Sequence, residues 1–391
     1  MALPVGIPKE IKIGERRVSL TPKGVVLLVK YGIQVYVEQG AGLLSGFQDG
    51  DYKKAGANLI SDRTELWRRA SLIKKVKEPV PEEFPFFRLQ HIIFTYLHLA
   101  SPSARPLIDA LLSAKASAIA YETIEKNGTT PLLSPMSEIA GVLSAYFVGI
   151  FRNHIEIKNN EIYGIEKAKS KMIELASEYP HVPKKLLPGQ VIILGGGYVG
   201  KNAAQMLASM GGTVFLSELS EDKRRQLKDD FKSKGLAIHL INPKEKASYE
   251  DVLASSEVIV GAVHAAGKRA PIVIDSLLLQ KISKPKRKII LDIAIDQGGN
   301  IAESSPTDYD HPLSVDSCGN LRFSVTNIPS LCGRGASEAL EEVSLDYTIA
   351  LAQGVSMAPE QCPELKSGIN ILNGKLVHKA VCEAHGFPKP R

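Results

Sequence analysis

Cysteine is scarce in this sequence. Only four occur among 391 residues, and none of them stands in a CxxC pair, so neither a disulfide framework nor a structural zinc site is expected. Reduced thiols in a reducing compartment are the simpler interpretation. We therefore expect no bound metal and a cytoplasmic location. The four residues are Cys318, Cys332, Cys362 and Cys382.

Long apolar runs and long basic tracts are also missing. No uninterrupted apolar segment approaches the roughly 20 residues of a membrane helix, and the first residues, MALPVGIPKEIKIGERR, lack the apolar core of a signal peptide. The net charge of +6 comes from scattered Lys and Arg, without a long basic tract interleaved with aromatic residues. We expect a soluble protein that binds neither a membrane nor nucleic acid.

Alternating strand and helix patterns begin at the start of the chain. Val5–Ile7 predicts a strand, and Thr21-Pro22 opens a helix that ends at Gly32. Alternation of this kind predicts an α/β domain with a largely parallel sheet. The other predicted elements of this series are the strands Ile33–Val37, Ile92–Leu97 and Ala118–Tyr121 and the helix Thr64–Ile73.

A second α/β series begins at Val191. A helical pattern near Ser137 precedes it, and a charged, Lys-rich segment over 152–188 is predicted to connect two domains. The predicted strands of the second series are Val191–Leu194, Val214–Ser217, Val258–Val263, Ile289–Ile293 and Phe323–Thr326. The tail predicts one long helix, Ala336–Gln353, and too few strands to fold alone, so we expect it to pack on the first domain.

A GxGxxG motif follows the strand Val191–Leu194. In such a motif Gly195 permits a tight turn, Gly197 lets the backbone approach a pyrophosphate, and Gly200 lets the helix pack closely on the strand. The next strand ends at Glu218, at the distance where a carboxylate accepts the hydroxyls of an adenosine ribose. This context predicts NAD rather than NADP, although a glycine-rich turn with a surface glutamate is the structural alternative.

The stretch LDIAIDQGG carries two aspartates at the end of a predicted buried strand. Isolated carboxylates in such a strand cost several kcal/mol unless they are paired. Asp292 lies inside the strand and is expected to make structural hydrogen bonds. Asp296 lies just beyond the carboxyl end, where open α/β sheets bind ligands, so it is expected to face a ligand. Capping or turn bonding is the alternative for Asp296.

Three basic residues stand at strand ends or loops of the first series. They are Arg17, Lys77 and His98. Taken one at a time, each has a structural interpretation: Arg17 as part of a surface ion pair, Lys77 as a solvated loop lysine and His98 as a histidine satisfied at a strand end. Together they suit a 2-oxo or 2-amino acid, because arginine clamps a carboxylate, lysine polarises a carbonyl or binds the carboxylate, and histidine moves protons near neutral pH.

Ten motifs occur in an order that resembles the alanine dehydrogenase family. They are IPKEIKIGERRVSLTP, GAGLLSGFQD, LIKKVKEP, FTYLHLA, AYETI, MSEIAG, GGGYVG, GAV, LDIAIDQGG and VTNIP, and they cover nearly the whole chain. The family is related to the alpha subunit of nicotinamide nucleotide transhydrogenase and, more distantly, to saccharopine dehydrogenases. KVKEP, FTYLHLA and DIAIDQGG are far more specific than the glycine motif.

The resemblance implies an α/β fold of two Rossmann-like domains with parallel sheets and an active site in the inter-domain cleft. Residues 1–136 plus 328–391 would form the substrate domain, and 137–327 the NAD-binding domain. It also implies NAD-linked oxidative deamination of L-alanine to pyruvate and ammonia by a cytoplasmic homo-oligomer, expected to be a hexamer. The helix around Leu340–Ala352 is a candidate subunit contact.

The resemblance also implies individual roles. Arg17 and Lys77 resemble the residues that bind the substrate, His98 and Asp296 resemble the acid/base pair, and Lys77 counts among the catalytic residues. Two further residues would line the substrate pocket, namely Met136 and Asn327. The implied cofactor contacts are Ser137, Gly195, Gly197, Tyr198, Val199, Gly200, Glu218, Val263 and Asp296.

Three segments depart from the family pattern and leave the substrate open, and a rival of another class is also weighed. They are 151–188, 264–267 and 331–337. One alternative is a saccharopine dehydrogenase-like or ketimine-reducing enzyme that acts on a larger amino acid. The other, from a different class, is a transhydrogenase-like NAD(H)-binding subunit.

Overall fold

A computed structural model describes residues 2–180, 186–264 and 269–388 of the chain. The described residues form two compact units, 1–136 with 330–391 and 137–329. In chain order the strands are β1 Val5–Ile7, β2 Val35–Glu38, β3 Asn58–Ile60, β4 Leu72–Lys74, β5 Ile92–Thr95, β6 Ser117–Ala120, β7 Glu156–Lys158, β8 Glu161–Tyr163, β9 Gln190–Leu194, β10 Thr213–Ser217, β11 Ile238–Ile241, β12 Val258–Gly261, β13 Ile289–Asp292, β14 Leu313–Val315, β15 Leu321–Phe323, β16 Ile369–Leu372 and β17 Lys375–Leu376.

Helices cover the remaining regular structure. In chain order they are α1 Pro22–Lys30, α2 Asp49–Lys54, α3 Arg63–Arg69, α4 Arg105–Ser113, α5 Ser134–His154, α6 Ile165–Ser177, α7 Tyr198–Ser209, α8 Glu221–Ser233, α9 Lys246–Ser255, α10 Ser276–Ser283, α11 Gly333–Leu351, α12 Ala358–Gln361, α13 Leu365–Gly368 and α14 Lys379–His385. Short 3₁₀ turns punctuate the loops, including one at Ile293–Gln297.

The first unit is built on one eight-stranded sheet. Its order is β17-β16-β6-β5-β4-β1-β2-β3, and its six N-terminal strands run parallel. From β3 to β6 this is the 3-2-1-4-5-6 order of a Rossmann-like sheet. β16 pairs antiparallel with β6, so the C-terminal segment extends the sheet of the first unit.

The second unit repeats this order over its first five strands. Its seven-stranded sheet runs β11-β10-β9-β12-β13-β15-β14, parallel except for the edge strand β14. The central strands are apolar and buried on both faces, as a parallel sheet covered by helices requires. The prediction of two Rossmann-like α/β domains is confirmed.

Several predicted elements differ in extent by a few residues, and two of them differ most. The helix predicted over Thr64–Ile73 ends at Arg69, and β4 begins at Leu72. The helix ends early because the N–H groups of Ser71 and Leu72 both donate to the carbonyl of Pro4. These hydrogen bonds place the following residues beside β1 in the sheet. The strand predicted over Phe323–Thr326 lies earlier, as β15.

The segment 152–188, which was predicted to be a connection between domains, contains regular secondary structure. It contains the hairpin of β7 and β8 and the helix α6. Asn159 and Asn160 form the hairpin turn with φ of +51° and +61°, the left-handed conformations that a type I′ turn requires and that asparagine tolerates. Residues 181–185 of this segment lie outside the described residues.

The apolar face of α11 is buried within its own unit. Leu340, Tyr347 and Leu351 are buried, and the carboxylate of Glu341 accepts hydrogen bonds from the backbone and hydroxyl of Thr21. That buried face packs inside the unit, and the contact of the helix around Leu340–Ala352 with another subunit stays a prediction.

One described helix is long and apolar enough to cross a membrane. It is α5, and 78% of its most apolar window is buried inside the protein. Burial of this kind is typical of a core helix, so it is weak support for a membrane span.

Candidate functional site

Arg17 lies in the loop between β1 and α1 and is only 3% exposed. Its guanidinium forms a two-point ion pair with Glu15, with Nε–Oε1 and Nη2–Oε2 distances of 2.7 and 2.6 Å. Burial alone would lower the pKa of Arg17, but the Glu15 carboxylate raises it above its usual value. Arg17 is therefore a fixed, permanently charged group, and the surface reading of this ion pair is excluded.

Met136 contacts the same guanidinium. Nη1 of Arg17 donates to Sδ of Met136 at 3.0 Å. The structure thus brings together two residues that the sequence assigned to a substrate pocket. Glu15, which orients the guanidinium, was missed by the sequence reasoning, although its position two residues before Arg17 was a usable signal.

Lys77 and His98 both lie beside Glu78. Burial raises the pKa of the Glu78 carboxyl, but the charges of Lys77, Lys12 and His98 outweigh it and lower that pKa below its usual value. Lys12 also pairs directly with Glu78. Glu78 is therefore an anionic centre that holds the predicted lysine and histidine in one electrostatic neighbourhood, a role that the sequence reasoning did not assign to it.

The backbone of His98 is held in an unusual conformation. Its φ is +49°, rare for a residue other than glycine, and the carboxylate of Glu122 accepts the N–H of His98 at 2.6 Å and that of Leu97 at 3.2 Å. The imidazole is exposed and stacks on the ring of Tyr96, with centroids 6.1 Å apart. Strain held by specific bonds at an exposed imidazole is typical of a functional site.

Tyr96 connects this histidine to the arginine. Burial raises the pKa of the Tyr96 phenol well above its usual value, although the nearby charge of Arg17 lowers it in part. The phenol donates to the carbonyl of Leu132 at 2.5 Å, and this hydrogen bond fixes the position of the ring. Four predicted residues of the first unit therefore form one neighbourhood, namely Arg17, Lys77, His98 and Met136.

The glycine motif of the second unit has the geometry of a nucleotide-binding loop. Gly195 has φ of +96°, and a Cβ on Gly200 would lie 1.9 Å from the carbonyl oxygen of Gly195. A side chain at Gly200 would therefore collide with backbone. Apart from Gly197 and its two chain neighbours, no heavy atom of the described residues lies within 4 Å of where a Cβ on Gly197 would sit, so this position is open.

The surroundings of this loop fit a nucleotide. Tyr198 and Val199 open α7, whose backbone N–H groups would face an anion bound at its N-terminus. α5 passes close by, since a Cβ on Gly141 would lie 2.4 Å from the carbonyl oxygen of Val199. Ser137 lies one turn earlier on α5 and is half-buried.

Glu218 lies at the edge of the glycine loop, as its spacing predicted. Its carboxylate accepts the N–H of Gly196 at 3.2 Å and that of Ser220 at 3.0 Å, and Nζ of Lys223 lies 3.5 Å away. Val263, at the end of β12, is the other neighbour of the loop, because its Cγ2 would lie 3.0 Å from a Cβ on Gly195. Both residues are thus adjacent to the motif.

The two aspartates of LDIAIDQGG behave differently. Asp292 is 1% exposed and accepts hydrogen bonds from the backbone of Asn300 and Ile301 and from the hydroxyl of Ser304, which confirms its structural role. Asp296 is exposed on the 3₁₀ turn, and its Oδ2 lies 3.5 Å from the backbone N of Asn327. The second unit therefore brings Asp296 and Asn327 together.

The turn beyond β12 is described only in part. Residues 265–267 of the departing segment 264–267 lie outside the described residues. Nε2 of His264 lies 2.8 Å from Nε2 of Gln297, the residue after Asp296. Among the described residues, no group of three or more His, Cys, Asp or Glu side chains is arranged to hold a metal ion.

Comparisons with known proteins agree along the whole chain. The N-terminal domain model of Alanine dehydrogenase/PNT matches residues 6–140, and the C-terminal domain model matches residues 163–379. The alanine dehydrogenase of Bacillus subtilis (strain 168) is 37% identical over 385 residues, which are 98% of this chain and 95% of that protein. That of Methanococcus maripaludis is 35% identical over 387 residues, with 98% and 97% covered.

Solved structures agree as well. An L-alanine dehydrogenase structure superimposes with a TM-score of 0.82 at 34% identity, covering 98% of this chain and 99% of that one. A transhydrogenase from Sinorhizobium meliloti, with a TM-score of 0.73 at 19% identity over 96% and 99% of the two chains, shares the fold. These likenesses support an alanine dehydrogenase activity and do not favour the alternatives drawn from the sequence.

Proposed function

Because this chain belongs to the alanine dehydrogenase/PNT family, we propose that it catalyses the NAD-dependent oxidative deamination of L-alanine to pyruvate and ammonia, and the reverse reductive amination. The observation that carries the proposal is the buried guanidinium of Arg17, fixed by Glu15 and in contact with Met136. An oriented, permanently charged fork of this kind suits the carboxylate of a small amino acid.

Substrate binding falls to the first unit in this proposal. Arg17 binds the substrate carboxylate, and the ammonium of Lys77 binds the carboxylate and polarises the carbonyl of pyruvate. Met136 and Asn327 are the further residues that the family resemblance assigns to substrate binding. A small substrate held by two cations and a thioether is kept near the geometry of reaction, which lowers the entropic part of the barrier.

Proton transfer falls to His98 and Asp296. Bound nicotinamide nucleotide would supply the acceptor for the hydride that leaves the substrate Cα. His98 then takes a proton from the water that adds at the resulting imine carbon, and Asp296 assists as ammonia departs. An exposed imidazole stacked on Tyr96 supports the first role, since it can exchange protons with solvent.

NAD is the proposed nicotinamide nucleotide. The implied contacts are Ser137, the Gly195–Gly200 loop with Tyr198 and Val199, Glu218, Val263 and Asp296. Glu218 supports NAD over NADP, because a carboxylate accepts ribose hydroxyls and repels a 2′-phosphate. Glu218→Ala should narrow the preference, measured as the ratio of kcat/KM with NAD to that with NADP. Equal wild-type efficiency with both cofactors would contradict the ribose assignment.

Assembly and location are proposed from the family resemblance. We infer a cytoplasmic homo-oligomer, specifically a hexamer; light scattering that detects only monomer would contradict it. A cytoplasmic location is supported by four cysteines that form no disulfide among the described residues.

One experiment tests the proposed reaction against its rivals. The purified protein is offered NAD with L-alanine, L-lysine, L-glutamate or saccharopine, and NADH formation is followed by absorbance. L-Alanine should give the highest kcat/KM. Preference for saccharopine or lysine would favour the larger-substrate alternative. Hydride exchange between NADH and an NADP analogue without any amino acid-dependent reduction would favour the transhydrogenase-like alternative.

A further inference from the structure

A buried carboxylate joins the two ends of the loop that carries Asp296, beyond the backbone hydrogen bonds that the loop makes itself. The loop leaves β13 at Asp292 and returns at Asn300, whose backbone N–H donates to the two carboxylate oxygens of Asp292 at 3.0 and 2.8 Å. Ile301 and Ser304 add bonds of 3.0 and 2.6 Å to the same carboxylate. One side chain thus joins the two ends of the loop.

Asn300 extends this connection to the neighbouring strand. It is fully buried, and its Oδ1 accepts the N–H of Val263 at 2.8 Å while its Nδ2 donates to the carbonyls of Val263 and Pro271 at 3.0 and 3.1 Å. Val263 is the residue that adjoins Gly195 in the glycine loop. A continuous set of short bonds therefore runs from the Asp296 loop to the wall of the glycine loop.

Several polar groups surround the buried carboxylate. Burial raises the pKa of Asp292 above its usual value, although the hydroxyl of Ser304, the two backbone donors and the more distant charge of Arg322 lower it in part. Ser304 accepts from Nη2 of Arg322 at 2.6 Å, and that guanidinium is itself buried. Buried polar groups retained with this many partners hold one arrangement rigidly, because any shift would leave a buried charge unsatisfied.

We propose that Asp292 and Asn300 form a positioning clamp that fixes the Asp296 carboxylate relative to Val263 and the glycine loop. Neither residue touches substrate; each acts through the loop or the strand that it holds. The inference rests on the proposed function for the roles of Asp296 and Val263. A clamp is needed because Asp296 is exposed on a short 3₁₀ turn, and acid/base groups must be held within about 0.5 Å of the productive position.

The chain supplies a matched control for this clamp. Asn320 is also fully buried in the same unit, and its side chain likewise accepts one backbone N–H, that of Lys288 at 2.8 Å. Its amide donates to Ser283 and Asp316. Asn320 precedes β15, at the opposite end of the strands from Asp296. Asn300→Ala and Asn320→Ala therefore each remove a buried amide from one of the two ends of the sheet, and Asn320 reaches Arg322 only indirectly, through Asp316.

Three readouts separate positioning from general stability. They are the melting temperature, the dissociation constant of NADH from fluorescence, and kcat and KM with L-alanine. Both variants should melt at a similarly reduced temperature. Asn300→Ala should weaken NADH binding about tenfold and lower kcat about 10–100-fold with KM for alanine changed less than threefold, since a misplacement of about 1 Å costs up to about 10² in rate. Asn320→Ala should stay within twofold of wild type in all these constants.

Hydrogen exchange makes the test independent of activity. Peptides that cover 258–264 and 293–300 should exchange faster in Asn300→Ala and unchanged in Asn320→Ala. Equal behaviour of the two variants in exchange and in NADH binding would overturn the clamp. A wild-type protein that binds NADH but never oxidises alanine would overturn the proposed function instead, while exchange and NADH affinity would still decide the clamp.

Discussion

The proposed binding sites of the two units are built differently, one from buried ion pairs and the other from glycine backbone. The first unit buries side-chain charges in pairs: Arg17 with Glu15, and Lys75 with Glu10 and Glu83 at 3.0 Å each. The second unit relies on backbone, with glycines that either adopt φ of +96° or leave no room for a Cβ, as Gly195 and Gly200 do. The proposed substrate-binding side chain of the first unit is held by charge, whereas the glycine loop of the second unit leaves its backbone accessible because side chains are absent there.

The difference follows from what each unit is proposed to bind. A small amino acid presents one carboxylate and one reacting carbon, so its recognition depends on a few oriented charges. A dinucleotide presents a pyrophosphate that backbone N–H groups can bind once the chain approaches closely. The first unit should therefore be sensitive to loss of charge, and the second to gain of volume.

Loss of the guanidinium should have the largest effect. Arg17→Ala should reduce turnover with alanine below detection, more than about 10³-fold, because the proposed carboxylate contact disappears and Glu15 is left as a buried charge without this partner, which costs about 3–5 kcal/mol of stability. The dissociation constant of NADH should change less than twofold. Arg17→Lys keeps the charge and separates folding from function: it should restore the melting temperature but not the turnover. A loss of NADH affinity as large as the loss of turnover would contradict the division between units.

Asp296→Asn should have the next largest effect. The amide keeps the shape and can still accept from Asn327, so a mere turn residue would tolerate the change. Loss of an acid/base group should instead lower kcat by about 10²–10⁴-fold. The pH–rate profile should also lose or shift one limb, and NADH binding should survive. Near-normal turnover with an unchanged pH profile would leave His98 as the acid/base candidate.

Added volume should test the second unit. Gly200→Ala forces a methyl group against the carbonyl of Gly195 and should lower both the melting temperature and NADH affinity, the latter at least about tenfold. At Gly197 there is room for a methyl group and φ is an ordinary −66°, so Gly197→Ala should fold normally. The added methyl group should still weaken the binding of NADH. Differential scanning fluorimetry and NADH titration distinguish them. A Gly197→Ala protein with full NADH affinity would show that the pyrophosphate does not approach there.

The smallest effect concerns stability in alkali. Burial lowers the pKa of Lys74 to about 8, and its amine contacts Ser344 at 2.8 Å. Between about pH 8 and 10.5 the unfolded chain binds more protons at this site than the folded one, so the free energy of unfolding should rise with pH, by up to about 3 kcal/mol. Below pH 8 the burial cost is fully present.

Urea unfolding at pH 7.5 and 9.5 measures that slope. Lys74→Met should remove this contribution, whereas Lys53→Met, at an exposed position on α2, should retain it. Identical pH dependence in wild type and Lys74→Met would show that the buried amine is already neutral or is fully compensated by Glu341, which also lies close to it.

Much of the site was predictable because local chemistry determines it. The turn at Gly195 and the close packing at Gly200 follow from the motif alone, and Asp292 needed internal donors because it lies inside a buried strand. The edges of elements were less predictable. Helical periodicity suggested a helix through Ile73, but pairing with β1 turned Leu72 and Ile73 into a strand.

By itself, the sequence determined the two α/β series, the nucleotide motif and the residue types of the site, since periodicity and glycine stereochemistry act over a few neighbouring residues. Only the tertiary structure decided which charges are partners. Glu15 fixes Arg17 and Glu122 bends the backbone at His98, whereas Asn300 reaches Val263 across 37 positions of sequence. Such pairings depend on distances that exist only after the strands align, so no local pattern encodes them.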